Sequence, residues 1–309
     1  MAGADAPSAP DARALADIPP WWPLREASTR VEASGLGWHV QEVGPRHAPV
    51  ALLLHGTGSG THTWRHLAPL LARHFHVVAP DLPGHAHTRT PPTQPLSLPA
   101  VAAAVGSLLT QLHLQPALVV GHSAGAAVAL QMVLDRLVHP RLVVSINGAL
   151  LPLQGPLGRL FLPIARVLAA NPLVPGAFAA WAGFPGVTQR LLDGTGSRID
   201  ALGQRCYAEL VSEAAHAGGA LRLMASWDLA PLEAALPRLD TPLVLLAADG
   251  DRTLPPVHAQ RIARVVPHAT LQSLPGLGHL AHEEDAAVVA QAIEQAWRHG
   301  DGAVQRRSA

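Results

Sequence analysis

The residues best placed to do chemistry lie in Gly121-His122-Ser123-Ala124-Gly125. The apolar run Ala117–Val120 before them reads as a buried strand, and Ala126–Leu130 after them as a helix packed closely on a sheet. Strand, tight turn and helix around G-x-S-x-G form a nucleophile elbow. Its glycines have a steric purpose: with the serine in a strained turn, the residues two positions to either side must lack a bulky Cβ where strand and helix converge. The turn lifts the Ser123 hydroxyl above the sheet and leaves the Ala124 amide facing a reacting oxygen. A serine hydroxyl attacks poorly unless a base takes its proton. The candidate base is His279, in the glycine-rich turn Pro275-Gly-Leu-Gly-His279; among 18 histidines its nearest rival is His282. The candidate acid is Asp251, which would orient and charge-stabilise His279. Its rival is Asp249 in Ala248-Asp-Gly-Asp251, which reads as a turn former. His55-Gly56-Thr57-Gly58, directly after the apolar run Val50–Leu54, would supply the Thr57 amide as the second oxyanion donor, with Gly56 and Gly58 allowing close backbone approach. His122 beside the nucleophile reads as a packing residue.

The elements that must position these groups follow from the pattern. Ser28–Glu32 and Trp38–Val43 alternate apolar and polar around Ser34-Gly35, an antiparallel hairpin at a sheet edge. Val50–Leu54, Phe75–Ala79, Ala117–Gly121, Leu142–Ile146, Pro242–Ala247 and Ala269–Leu274 read as strands, most of them continuously apolar and so buried on both faces. Helices are expected over Thr63–Arg73, Ser97–Leu112, the stretch after Ser123, Pro256–Val265 and Glu283–Trp297. Alternating strands and helices imply an α/β fold with a mostly parallel central sheet and helices on both faces. From Leu150 to Leu236 strands vanish and Pro and Gly punctuate short helical pieces: Leu157–Ala170, Val187–Leu192, Ile199–Ala217 and Leu221–Leu229. The expected organisation is a loosely attached segment over 1–27, a core over 28–149 and 237–299, an inserted helical lid over 150–236, and a tail over 300–309. Leu160, Phe161, Trp181, Phe184, Met224 and Trp227 read mostly as the lid's own core. Leu157–Ala170 carries Arg159 and Arg166 among apolar residues, a pattern compatible with interfacial membrane contact, although its amphipathic character is ordinary.

Composition excludes several function classes. The 309 residues carry 22 basic and 22 acidic side chains, a formal net charge of zero, which gives no footprint for nucleic acid. Every basic residue is Arg; the absence of Lys removes Schiff-base chemistry, Ser–Lys pairs and P-loop phosphate binding. The single cysteine, Cys206, excludes an intrachain disulfide and a cysteine-based zinc site. It reads as a small buried apolar residue and suits a cytoplasmic location. His39, His62, His66, His74 and His76 lack metal-ligand clustering and read as surface or helix residues. Met1–Pro20 has no apolar segment of signal-peptide type, and no apolar run is long enough to span a bilayer. No motif calls for a nucleotide, flavin or haem, so no cofactor is expected.

The chain resembles the α/β-hydrolase superfamily over about Arg30 to Trp297. The resemblance rests on His55-Gly-Thr-Gly58 after the third strand, Asp81-Leu-Pro-Gly-His85 after the fourth, Gly121-His-Ser-Ala-Gly125, Asp251 beyond the lid and Gly278-His279 near the end. The order nucleophile, acid, histidine is that of this fold. Some members place the acid one strand earlier; that site here is Asn147, not a carboxylate. In this fold Asp81, Gly84 and His85 read as structural, shaping a loop at the floor of the site. More closely, Gly121–Ala127, Ile146–Pro152, Asn171–Pro175, Gly194–Arg198 and Leu274–Glu284 look like the magnesium-chelatase accessory proteins, which are encoded with bacteriochlorophyll-synthesis genes of phototrophic bacteria. That resemblance implies a role in magnesium-tetrapyrrole biosynthesis. Two functions then stand side by side. One is a serine hydrolase acting on an ester or similar acyl bond of an apolar small molecule, such as a tetrapyrrole carboxylic ester. The other is a non-catalytic accessory protein that binds a porphyrin or associates with magnesium chelatase. Haloalkane dehalogenation is excluded, because it needs a carboxylate where Ser123 stands.

Overall fold

A computed structural model of the chain describes residues 15–152 and 155–305. Eight strands form one sheet: β1 (Ser28–Ala33), β2 (Leu36–Val43), β3 (Val50–Leu54), β4 (His76–Pro80), β5 (Pro116–His122), β6 (Leu142–Ile146), β7 (Leu243–Ala248) and β8 (Ala269–Leu274). Their order is β1-β2-β4-β3-β5-β6-β7-β8, and only the pairings of β2 with β1 and β4 are antiparallel. The hairpin turn is Ser34-Gly35, both at positive φ (53° and 72°), the geometry a two-residue connection needs to follow the twist of its strands.

Helices α1 (Leu67–Leu71), α2 (Leu98–Gln111), α3 (Ala124–Leu134), α10 (Val257–Val265), α11 (Ala281–Glu284) and α12 (Ala286–Gln305) cover the sheet, and α4 (Gly155–Ala170), α5 (Leu173–Ala182), α6 (Val187–Gly194), α7 (Ala201–Val211), α8 (Ala214–Ala225) and α9 (Ala230–Ala235) lie between β6 and β7. The inner strands β3 to β7 are mostly apolar because both faces are buried, whereas the edge strands β1 and β8 carry polar, exposed residues. In β3, Leu52 and Leu54 join Val101, Leu108 and Val128 of α2 and α3. Ala51 and Leu53 face the other way, into a second layer with Leu67 and Leu71 of α1 and Val289 and Ile293 of α12.

The structure corrects several expectations. The helix expected over Thr63–Arg73 is a 3-10 turn at Thr61–Trp64 followed by the short α1. The lid piece Ile199–Ala217 is two helices broken at Ser212-Glu213, and the pattern had not shown α5 at all. The closing helix is divided at Asp285, and α12 continues to Gln305, into the expected tail. The N-terminal segment is not loosely attached over its described part. Leu15, Ile18 and Trp22 are buried against Cys206 and Leu210 of α7, and Arg25 donates to the carbonyls of Leu15 and Ile18. Residues 1–14 lie outside the described part. Among the histidines, His66 and His74 are exposed, but His39, His62 and His76 are buried. His39 bridges Asp81 and Ser28 at 2.6 and 2.9 Å, and His76 pairs with Glu42 at 2.9 Å. Hydrogen bonds at both ring nitrogens offset the burial of His39.

Candidate active site

Ser123 directly follows β5 and stands at the N-cap of α3 with φ 51° and ψ −118°, outside the regions a non-glycine residue normally occupies. The surroundings hold it there. A methyl group on Gly121 would strike Ala126, and one on Gly125 would strike the Leu54 carbonyl. The Ser123 amide donates to the Ile146 carbonyl, and its carbonyl accepts from Ala126 and Ala149. As the first residue of α3, Ala124 has no intrahelical acceptor for its N–H, so this donor stands beside Ser123.

The turn after β3 closes against the elbow. A side chain on Gly56 would come within 2.9 Å of Ser123 Cβ and 3.0 Å of His122 Nδ1. His55 holds this turn: Nδ1–H donates to the Gly56 carbonyl at 2.8 Å, and Nε2 accepts from the Leu82 amide at 2.8 Å. Gly58 has φ 75°. Thr57 then lines the same cavity wall as Ser123 and Ala124.

His279 Nδ1 lies 2.7 Å from Asp251 Oδ2. Asp251 Oδ1 accepts the amides of Thr253 and Leu254 at 2.7 and 2.8 Å. Asp251 Oδ2 accepts a hydrogen bond from His279 Nδ1–H, which sets the tautomer and leaves Nε2 as the nitrogen with a free lone pair. His279 and Ser123 line one cavity. No hydrogen bond closes between their side chains among the described residues, a looseness common before substrate binds. The two rivals are placed elsewhere. His282 bonds Thr63 Oγ1 at 2.7 Å, and Asp249 accepts the Gly276 amide at 2.7 Å, bracing the histidine turn.

Two residues do more than the sequence reading assigned them. His122 Nε2 donates to the His279 carbonyl at 2.9 Å, and its ring lies tilted against that of His279 with centroids 4.8 Å apart. Burial, with His282 and His279 alongside, drives its pKa well below the usual value, so it is neutral. Asn147 ends β6 at φ 46°. Its Nδ2 donates to the carbonyls of Gly278 and His279, and its Oδ1 accepts from Ala248. The residue occupying the alternative acid position thus ties β6, β7 and the histidine turn together. Its sequence signal was its place after a buried strand, beside a glycine. Asp81 proves structural as expected: it accepts from Thr61 and His87 and pairs with His39. Burial alone would raise its pKa, but His39 and the other donors push it far down.

The cavity has two lobes that share Thr57, Ser123, Met224 and Thr253. The larger, about 560 Å³, is walled by Leu168, Val174, Phe178, Leu192 and Ala220 of the lid. The smaller, about 330 Å³, reaches Leu151, Trp227 and Leu229. Met224 and Trp227 therefore line it, rather than forming only a lid core. Trp181 and Phe184 face outward, 46% and 65% exposed; the side chains of Leu160 and Phe161 lie outside the described residues.

The lid is pinned to the core by buried polar groups. Glu283 accepts from Arg65, from Thr63 at 2.6 Å and from Tyr207 of α7 at 2.8 Å. With the Tyr207 proton so committed, Ser59 donates to the Tyr207 oxygen at 3.1 Å. Arg65 also reaches Asp200, which caps α7 through the Gly203 amide. Burial pushes the Glu283 carboxyl up, and these donors pull it back. Among the described residues no cluster of His, Cys, Asp and Glu is arranged to hold a metal ion.

Known proteins place this arrangement in a family. The model of the alpha/beta hydrolase family matches residues 51–292. The magnesium-chelatase 30 kDa subunit of Rhodobacter capsulatus is 42% identical over 273 residues, 88% of this chain and 94% of that one. A pimeloyl-[acyl-carrier protein] methyl ester esterase of Aromatoleum aromaticum is 31% identical over 271 residues, 79% of this chain and 98% of the other. A haloalkane dehalogenase loop variant from Bradyrhizobium elkanii superposes with a TM-score of 0.72 at 19% identity, over 91% of this chain and 99% of its own; at that identity the likeness is one of fold alone. The strained serine turn, the eight-stranded sheet and these matches together make the chain a member of the α/β-hydrolase family, similar to the magnesium-chelatase accessory proteins.

Proposed function

We propose that the protein is a serine hydrolase that cleaves a carboxylic ester, or a similar acyl bond, of an apolar molecule. The observation that carries this reading is the meeting of strained Ser123 and Asp251-paired His279 at one wall of a two-lobed apolar cavity. Ser123 Oγ attacks the ester carbonyl while His279 Nε2 takes its proton. The Thr57 and Ala124 amides hold the oxyanion, and Asp251 stabilises the imidazolium. The tetrahedral adduct collapses as His279 protonates the departing alkoxide. Water, deprotonated by His279, then releases the acid and frees Ser123. Two lobes diverging at Ser123 suit an ester with apolar groups on both sides of the scissile bond. The relative named as a magnesium-chelatase subunit supports a tetrapyrrole carboxylic ester as substrate and an association with magnesium chelatase.

The test is labelling of the purified chain with a fluorophosphonate, which reacts only with an activated serine. Labelling that is lost in Ser123→Ala and His279→Ala supports the reading; no labelling of folded wild type overturns it. A second reading draws on the unclosed Ser123–His279 pair and on the same relative's name: an accessory protein that holds a porphyrin in the cavity without turnover. Saturable binding of protoporphyrin by a chain that resists labelling would favour it.

A further inference from the structure

The outer face of the lid is unlike the rest of the surface. Ile164 and Val167 of α4, Leu173 and Trp181 of α5, and Phe184 just beyond are exposed, Leu173 by 76% and Val167 by 72%. Exposed apolar side chains on two adjoining helices point to an interaction site. The charge pattern of the same stretch is one-sided. From Leu150 through Leu192 there are three arginines, Arg159, Arg166 and Arg190, and no Asp or Glu, in a chain that as a whole carries 22 basic and 22 acidic residues. Arg166 and Arg190 are exposed.

The shape of the stretch selects the occupant. Leu162–Ala170 and Leu173–Ala182 are apolar enough together to enter a membrane, but they meet at a bend of 98°, and no single helix among the described residues is long and apolar enough to cross one. An L-shaped apolar pair edged by arginine suits lying in an interface, with the guanidinium groups at the level of the headgroups. The inner side of the same helices is the cavity wall. Leu168, Phe178 and Leu191 are at once partly exposed and cavity-lining, so apolar surface continues from the outer face over the rim towards Ser123. A protein seated on this face would stopper that opening. A lipid layer would extend it, because hydrocarbon meets the rim and an apolar molecule dissolved there passes inward without crossing water.

We infer that α4, α5 and the Phe184 turn dock on the surface of an anionic lipid bilayer, with the mouth of the cavity opening into it. The inference concerns where the protein sits and stands whether or not Ser123 turns over.

The test is co-sedimentation of the full chain with vesicles of phosphatidylcholine alone and of phosphatidylcholine mixed with phosphatidylglycerol. Binding is expected to the mixed vesicles and to weaken at high salt. The triple variant Val167→Ser/Leu173→Ser/Phe184→Ser should lose about tenfold or more in affinity, and Arg166→Gln/Arg190→Gln about threefold or more. None of the three apolar positions lines the cavity, so the triple variant should melt like wild type and keep its fluorophosphonate reactivity. Ser123→Ala should bind vesicles as wild type does, which separates this inference from the proposed hydrolysis. Wild type that ignores both vesicle types overturns the inference, as does a folded triple variant that binds undiminished. Concentration-dependent self-association abolished by the triple variant would assign the face to a second copy instead, and would overturn it too.

Discussion

The floor of the site and its roof are built in opposite ways. Beneath Ser123, the elbow, the β3 turn and the histidine turn are locked by backbone contacts that leave no room for a methyl group, and by buried hydrogen bonds from His55, His122 and Asn147. Above it, helices α4 to α8 line the cavity, and α4 to α7 also turn large apolar side chains to the exterior. They are fastened to the floor by a compact polar cluster around Glu283 and Tyr207. The floor fixes the backbone at Ser123 and His279 by close contacts. The roof supplies most of the apolar lining of the cavity above them. Such a division lets one fold host many chemistries, because the roof can change while the floor stays.

Substitutions can break or sharpen that contrast. The largest effect on activity is expected for Ser123→Ala, which should lower ester turnover by roughly a thousandfold or more with no loss of melting temperature. Active-site labelling and calorimetry on the same sample check both halves. Gly125→Ala should be the most damaging to folding, because its methyl group would meet the Leu54 carbonyl inside the sheet; failure to accumulate folded protein is the expected outcome. Glu283→Gln leaves Arg65 buried beside a neutral amide and should cost about 3 kcal/mol. Tyr207→Phe removes one donor to Glu283 and should cost about 1 kcal/mol. Urea unfolding measures both, and equal costs would contradict the pinning role given to the ion pair. At the small end, Phe184→Ser on the outer roof should change stability by no more than about 0.5 kcal/mol.

Acidity probes the buried histidines of floor and roof together. Burial is the largest cause of lowered pKa values at His55, His62, His85, His122, His216 and His282, and also at His87. In the unfolded chain these groups take up protons near pH 6.5, whereas His216 and His87 do so only at about 4 when folded. The unfolded state therefore binds more protons in between, and stability should fall as pH drops from about 6.5 towards 4. Asp200, held down to about 2, loses its contribution only at lower pH. A melting temperature that stays flat from pH 7 to 5 would contradict this.

Much of the floor was legible in the chain because it is local. Gly121-His-Ser-Ala-Gly125 implies its own turn, and the apolar runs imply a sheet buried on both faces, since period and composition report which side meets water. The roles of Asn147 and His122 were hidden. Their partner, the carbonyl of His279, is more than 130 residues away in sequence, and no local pattern encodes such a contact. Of the histidines read as surface or helix residues, His39 and His76 are buried in strands for the same reason: Asp81 and Ser28 bond His39, and Glu42 pairs with His76. The lid was legible as helical, but its breaks at Ser212 and its helix α5 were not, because weakly periodic apolar segments take their boundaries from what they pack on.

What the sequence determined by itself is the order of elements and the short list of candidate site residues, since both follow from residue type and near-neighbour spacing. The tertiary structure shows that His279 rather than His282 shares a cavity with Ser123, that Asp251 rather than Asp249 bonds it, and that Trp181 and Phe184 look outward while Met224 and Trp227 look in. Those are choices between residues one to four positions apart, or on one helical layer. They are settled by the direction of a side chain relative to distant strands, a quantity that exists only once the chain is folded.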